Sequence, residues 1–404
     1  MCSLFFSVAD QPLARAGVLP LGATTAAVVA LLPFFIRHLV QHTTRQSSAH
    51  VFDIWLKNRV PLMVFLLLAT VSLVYGTLPG SFWGEGGKWI FLCAYGFVIT
   101  LLAHCVGLHP VISRYLPVFT CVALLLLLSS LWYDMLYPGS YSELNSRAAG
   151  FPGNANFAAL VSVMLCSVSL TYQREGSAKR DAFFLVITAV HVLGTMSRSG
   201  LLNYTLMLTI YIYYRFVRDG LEVRGLLRFA AALGATALLA AAVSSLSGAT
   251  HTVLSAENRL SRLATNRQVD DGSAASRLAA VQDSLRLINI SPLLGHGTGH
   301  ARTMAELPHN LYLQQWVNNG LLGLVTYLLL LGTTWYTFYR RGSRQGQTLI
   351  AVAALGSVFS HNVLDQRPFL ILLGTMLAMS THATAAAYSL KKTQLPRRAA
   401  ALGS

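Results

Sequence analysis

The sequence predicts an all-α, polytopic integral membrane protein of about twelve transmembrane helices, with one long helical loop outside the membrane. Three observations predict it. The 404 residues are 54% hydrophobic and only 11% charged, whereas a soluble domain carries roughly 25% charged residues. Apolar runs recur along almost the whole chain, each of about 18 to 25 residues and so long enough to cross a hydrocarbon core of ~30 Å as a helix. The runs are continuous rather than alternating, which fits helices that satisfy their own backbone and not the strands of a barrel. A mean hydropathy of +0.53 agrees.

Spans are predicted near 18–37, 60–78, 88–107, 116–136, 154–172, 182–197, 199–216, 226–247, 311–339, 346–364 and 368–389. Residues 1–14 have no basic stretch and no cleavage site, so the first span is expected to act as the targeting signal. The second span follows Lys57 and Arg59. Arg174, Lys179 and Arg180 join the fifth to the sixth. Arg215, Arg218, Arg224 and Arg228 follow the seventh, Arg340, Arg341 and Arg344 follow the ninth, and Lys391, Lys392, Arg397 and Arg398 follow the last. All these cations fall on one side, which the positive-inside rule makes the cytoplasm. The net charge of +15 is thereby accounted for without a nucleic-acid partner.

The opposite side receives the 137–153 connector with Arg147, the tight SRSG turn with Arg198, and the loop 248–308, which holds Arg259, Arg262, Arg267, Arg277, Arg286 and Arg302. Arginine concentrated there departs from the usual bias and points to an anionic ligand. The chain thus divides into 1–247 (transmembrane), 248–308 (outer loop), 309–390 (transmembrane) and 391–404 (basic tail). Within the loop, ENRLSRLATN and SAASRLAAVQDSLRLINI have helical spacing. In the second, Leu278, Val281, Leu285 and Ile288 form one stripe, Ser273 or Ser276 can cap it, and Pro292 with GHGTG ends it. Two short amphipathic helices on the membrane surface would fit.

His309 and Asn310 open HNLYLQQWVNNGLLG after Pro308. Two readings of His309 stand: an interfacial histidine at a helix start, or a neutral imidazole that accepts a proton from a hydroxyl. Gly320 and Gly323, about three turns on, would let another helix approach. Arg198 is either a snorkelling residue or a ligand for an anion, and Arg147 and Arg277 divide the same way. Convergence of all three arginines with His309 on one face favours a shared anion site. Asn154 and Asn156 either cap a helix or donate to phosphate or sugar. GHGTG is either a loose phosphate cradle or a glycine-rich turn, and His361 and Asn362, with Asp365 and Arg367 close behind, are expected to pack or support.

No cofactor is expected. Glu85 is the single acid of the first outer loop, and Asp270 with Asp271 forms the adjacent acidic pair outside, in a turn-like QVDDGS. Neither offers the paired acids of a divalent-cation site. Of five cysteines, Cys93, Cys105, Cys121 and Cys166 lie in apolar runs and none forms a CxxC pair, which speaks against structural zinc and disulfides. No GxxxxGK[ST] string occurs, which speaks against a nucleotide-driven pump.

Taken together, RAAGFPGNANF, SRSG, SRLAAVQDSLRLINISPLLGHGTG and HNLYLQQWVNNGLLG, over roughly residues 145–390, resemble the O-antigen ligase and polymerase superfamily of bacterial envelope enzymes. The last string fits the ligase pattern of His, Asn, nine residues, Gly, two residues, Gly, here His309, Asn310, Gly320 and Gly323. The resemblance implies twelve spans with both ends cytoplasmic, so a twelfth would have to come from the region before residue 60. It also implies an activity: transfer of O-antigen polysaccharide from undecaprenyl diphosphate to a lipid A-core sugar, at the periplasmic face of the inner membrane, with inversion and without nucleotide or metal. His309 would be the base, and Arg147, Arg198 and Arg277 would hold the diphosphate. Asn154, Asn156, Asn310, Tyr312, Gly320 and Gly323 would support them. Other readings are an O-antigen polymerase, which takes a second lipid-linked sugar as acceptor, and a protein O-oligosaccharyltransferase. A transporter would need ionisable groups near mid-membrane or broken helices in matched halves, and the spans here are nearly free of charge at their centres.

Overall fold

The structure is a computed structural model that describes residues 48–77, 109–142, 147–172, 178–217, 272–361, 363–364 and 368–381. Among the described residues the chain is helical and has no strand. The helices are α1 (Ser48–Tyr75), α2 (His109–Leu136), α3 (Ala155–Ser169), α4 (Ala178–Gly194), α5 (Arg198–Ile212), α6 (Gly272–Ile290), α7 (Leu311–Arg340), α8 (Arg344–Phe359) and α9 (Pro368–Thr381). A π-helical turn, Tyr213–Val217, prolongs α5, and a 3-10 turn, His300–Thr303, precedes α7. Helices α1–α5 and α7–α9 overlap predicted spans, and α6 coincides with the amphipathic stretch of the predicted outer loop. The predicted spans at 18–37, 88–107 and 226–247, and the ENRLSRLATN helix, lie outside the described residues.

Helix α3 is the hub. Every residue in it except Asn156 is buried, and α2, α4, α5 and α8 pack around it. A helix that is apolar all round belongs in an interior. Helix α7 forms the second axis, packed on α1, α8 and α6. The ends show how the helices run. Asn156 and Ser197 join the starts of α3 and α5. Gln345 donates to the carbonyl of Leu170, joining the start of α8 to the end of α3, and the Tyr214 hydroxyl donates to Gln347 at 3.0 Å. Arg341 donates to Asn58 at 2.7 Å and to Thr381 at 3.0 Å, which ties the end of α7 to α1 at Asn58 and to the end of α9. One end of the bundle therefore gathers the starts of α3, α5 and α7. The other gathers the ends of α3 and α7 with the start of α8.

Tyr115–Leu136 and Leu311–Arg340 are long and apolar enough to cross a membrane, and Val60–Tyr75, Ala155–Ser169 and Pro368–Thr381 are shorter apolar helices. Outward faces of α1 and α2 carry large apolar side chains, among them Met63, Leu67, Val74, Val118 and Leu125, a pattern that lipid surroundings account for. Exposed aromatics sit at both ends of the bundle: Trp132, Tyr133 and Tyr137 at one, Trp335, Tyr336 and Tyr339 at the other. Rings of this kind collect at membrane–water interfaces.

Two helices differ from the sequence reading. Along α6 the predicted stripe divides: Leu278 and Leu285 are exposed, Val281 is half-buried, and Ile288 is buried together with Ala280 and Ser284. Ser276 lies inside α6 rather than at its cap. Helix α7 is not continuous. Asn319 (φ −117°, ψ 15°) and Gly320 (φ 61°, ψ −163°) break it in mid-course.

Candidate active site

The break in α7 is filled by GHGTG. Carbonyls that lose their helical partners at a break must find others, and the loop supplies them. The amides of His296 and Gly297 donate to the carbonyls of Val317 (2.9 Å) and Asn318 (2.8 Å), and the amide of Leu321 donates to Pro292 O (3.0 Å). The amide of Thr298 donates to Tyr75 O. Its hydroxyl contacts Ser72 O and Asn319 Oδ1, so α1, the loop and α7 share one buried polar knot. The amides of Gly295, His296, Gly297 and Thr298 are all used within the protein. The loop is thus a glycine-rich turn, not a phosphate cradle. Gly320 admits a loop rather than a helix: its φ and ψ are accessible to glycine alone, and a Cβ there would overlap the carbonyl of Leu293. Gly323 lies one turn on, against Asn319 and Gln315 O of its own helix.

Above the break, Asn310 caps α7 and accepts from the amides of Tyr312 (2.9 Å) and Leu313 (3.1 Å). Its extended φ and ψ turn the preceding residue, His309, out of the helix. The His309 ring is exposed and its centroid lies 5.5 Å from that of His361. Partial desolvation lowers the His309 pKa, and the Arg277 guanidinium lowers it further while Glu306 opposes. The imidazole is therefore neutral at neutral pH. Arg277 itself is exposed, in the second turn of α6. The Tyr312 hydroxyl donates to Ala354 O at 2.8 Å, which pins the start of α7 to α8 rather than facing the histidine.

A second cluster lies at the same end. The Arg147 guanidinium donates to Met196 O (3.0 Å) and Asn156 Oδ1 (3.3 Å). Asn156 Oδ1 also accepts from the Ser197 hydroxyl at 2.8 Å. Ser197 caps α5 by accepting from Gly200 N, and Asn154 caps α3 by accepting from the amides of Asn156 and Phe157. Arg198, the first residue of α5, is exposed. The bundle end thus gathers His309 with Arg277, and Arg147 with Arg198, Asn154 and Asn156. Asn362, Asp365, Arg367, Asp270 and Asp271 lie outside the described residues.

The reading of the sequence passes over three residues that build this end. Met196, at positive φ (49°), offers its carbonyl to Arg147. Ser197 links the starts of α3 and α5. Asp134 is buried below the connector that carries Arg147, and its one signal is a lone acid in the last turn of an otherwise uncharged span.

Residues 183–328 match the family model described as O-Antigen ligase. No curated protein matches the chain. The matched stretch runs from α4 into α7 and includes Arg198, Arg277, His309 and the loop-filled break, and over that stretch the chain is similar to the O-antigen ligase family.

Proposed function

We propose that this chain is an O-antigen ligase of the bacterial inner membrane: a multi-pass, lipid-linked glycosyltransferase whose His309 end faces the periplasm. It moves polysaccharide from undecaprenyl diphosphate to a sugar of lipid A-core, with inversion and without nucleotide or metal. One observation carries the reading. An exposed, neutral imidazole and an exposed guanidinium that lowers its pKa stand at the bundle end that also gathers Arg147 and Arg198.

The chemistry follows from the charges. The acceptor hydroxyl attacks the anomeric carbon, and its proton passes to the His309 imidazole. The bond from that carbon to the diphosphate oxygen breaks, and the bonding pair leaves with the diphosphate. Arginine keeps its charge at any working pH and matches phosphate oxygens with a planar fork. Arg147, Arg198 and Arg277 therefore offset the negative charge that develops on the leaving group. Partial desolvation and the Arg277 charge favour the neutral form of His309, which is the state that can accept a proton.

The test is deletion of the gene, followed by gel analysis of lipopolysaccharide and complementation with wild-type or His309→Ala. Intact core without any capped chains, restored by wild-type and not by His309→Ala, is the result expected. Core capped with single repeats means a polymerase. Unchanged lipopolysaccharide removes both readings.

A further inference from the structure

We propose that Asp134 is the positioning residue for Arg147, holding the connector that presents this arginine to the diphosphate. The inference rests on the functional reading above.

Asp134 lies in the last turn of α2 and is 1% exposed. An ionised carboxylate is costly to bury unless its lone pairs are satisfied. Here four backbone amides satisfy them. Oδ1 accepts from Tyr141 N (3.1 Å) and Ser142 N (3.3 Å). Oδ2 accepts from Ala149 N (2.8 Å) and Gly150 N (3.1 Å). One carboxylate therefore grips both described flanks of the 137–153 connector, one through each oxygen. Ala149 is two residues from Arg147, so the grip fixes the backbone from which the guanidinium reaches out.

Neighbouring contacts brace the same segment. Ser130, one turn back on α2, accepts from Phe151 N at 3.2 Å. Gly150 (φ 63°) is pressed against Ser130 and the Leu131 amide, where a side chain would not fit. The Tyr141 ring packs edge-on to Phe151 at 5.1 Å. From this platform Arg147 spans to Met196 O and Asn156, joining the connector to the starts of α3 and α5. Among the described residues the Asp134 carboxylate is met by backbone amides, in the manner of a carboxylate that organises a loop. Asn at this position keeps the shape but supplies one acceptor oxygen and an NH₂ that opposes two amides.

The test compares Arg147→Ala, Asp134→Asn and the double variant in detergent, with kcat and KM measured for undecaprenyl-diphosphate-linked donor. Arg147→Ala is expected to raise donor KM by roughly tenfold, the worth of a charge-assisted contact. Asp134→Asn should raise donor KM comparably and leave the acceptor KM unchanged, and the double variant should be no worse than Arg147→Ala alone. An unchanged donor KM in Arg147→Ala overturns the functional reading and this inference with it. A raised KM in Arg147→Ala with a wild-type KM in Asp134→Asn overturns the inference alone, as does a double variant whose losses multiply. If Asp134→Asn does not fold, Ser130→Ala decides: it loosens the same connector by one bond, and roughly threefold in donor KM is expected, an unchanged value overturning the proposal.

Discussion

At the scale of single residues, the pH dependence of His309 separates chemistry from packing. Its pKa is lowered by partial desolvation and by Arg277, and raised by Glu306. A lowered base pKa keeps the neutral form present to more acid pH, so activity should fall only as pH drops below the usual histidine range. Arg277→Ala removes a cation, raises the pKa and should move the acid limb of kcat/KM to higher pH. Glu306→Gln removes an opposing anion and should move it to lower pH. The height of the profile reports donor binding, whereas its position reports the histidine. His309→Ala should lower turnover by ~10²-fold or more with little change in donor affinity. An acid limb that stays put in both variants, or a folded His309→Ala with normal turnover, would mean that the histidine is only an interfacial residue. His309 was visible in the sequence because its motif is local. Asp134 was not, because its role depends on amides that fold back over it from outside its helix.

At the scale of elements, apolar runs betray helices because length and composition alone decide them. What they hide is any interruption that another segment repairs. The string NNGLLG lies within an otherwise helical run, and only the structure shows GHGTG supplying the amides that make a break tolerable. The same limit hid which positions of α6 pack inward, where Ala280 and Ser284 are buried beside Ile288. The break has a function in this scheme, since it ties α7, whose cap His309 precedes, to the loop that leads from α6, which carries Arg277. Gly320→Ala should therefore be severe. The conformation costs a side chain about 1–3 kcal/mol, and overlap with Leu293 adds to it. We expect a large drop in the melting temperature of the detergent-solubilised protein. Gly332→Ala, in the lower part of the same helix with open space around it, should leave it unchanged or slightly raised. Equal behaviour of the two variants would mean that the break is not held by glycine.

At the scale of the whole molecule, orientation decides whether the site can meet its substrates. Lys179 and Arg180 at the start of α4, and Arg340, Arg341 and Arg344 between α7 and α8, lie at the end opposite His309. Positive connectors stay on the cytoplasmic side because they are not translocated. The His309 end should then face the periplasm, although arginines gather there too. Their retention against the usual bias is what a ligand with phosphate charge would explain. The assignment can be measured in a chain whose five native cysteines are replaced by serine. Asp283→Cys, on the exposed side of α6, should react with a membrane-impermeant thiol reagent once the outer membrane alone is permeabilised. Arg340→Cys, exposed at the far end of α7, should react only after the inner membrane is lysed. Reversed labelling would put the arginines and His309 in the cytoplasm and end the ligase reading. Labelling of both from one side would show that α7, broken at Asn319 and Gly320, does not cross the membrane.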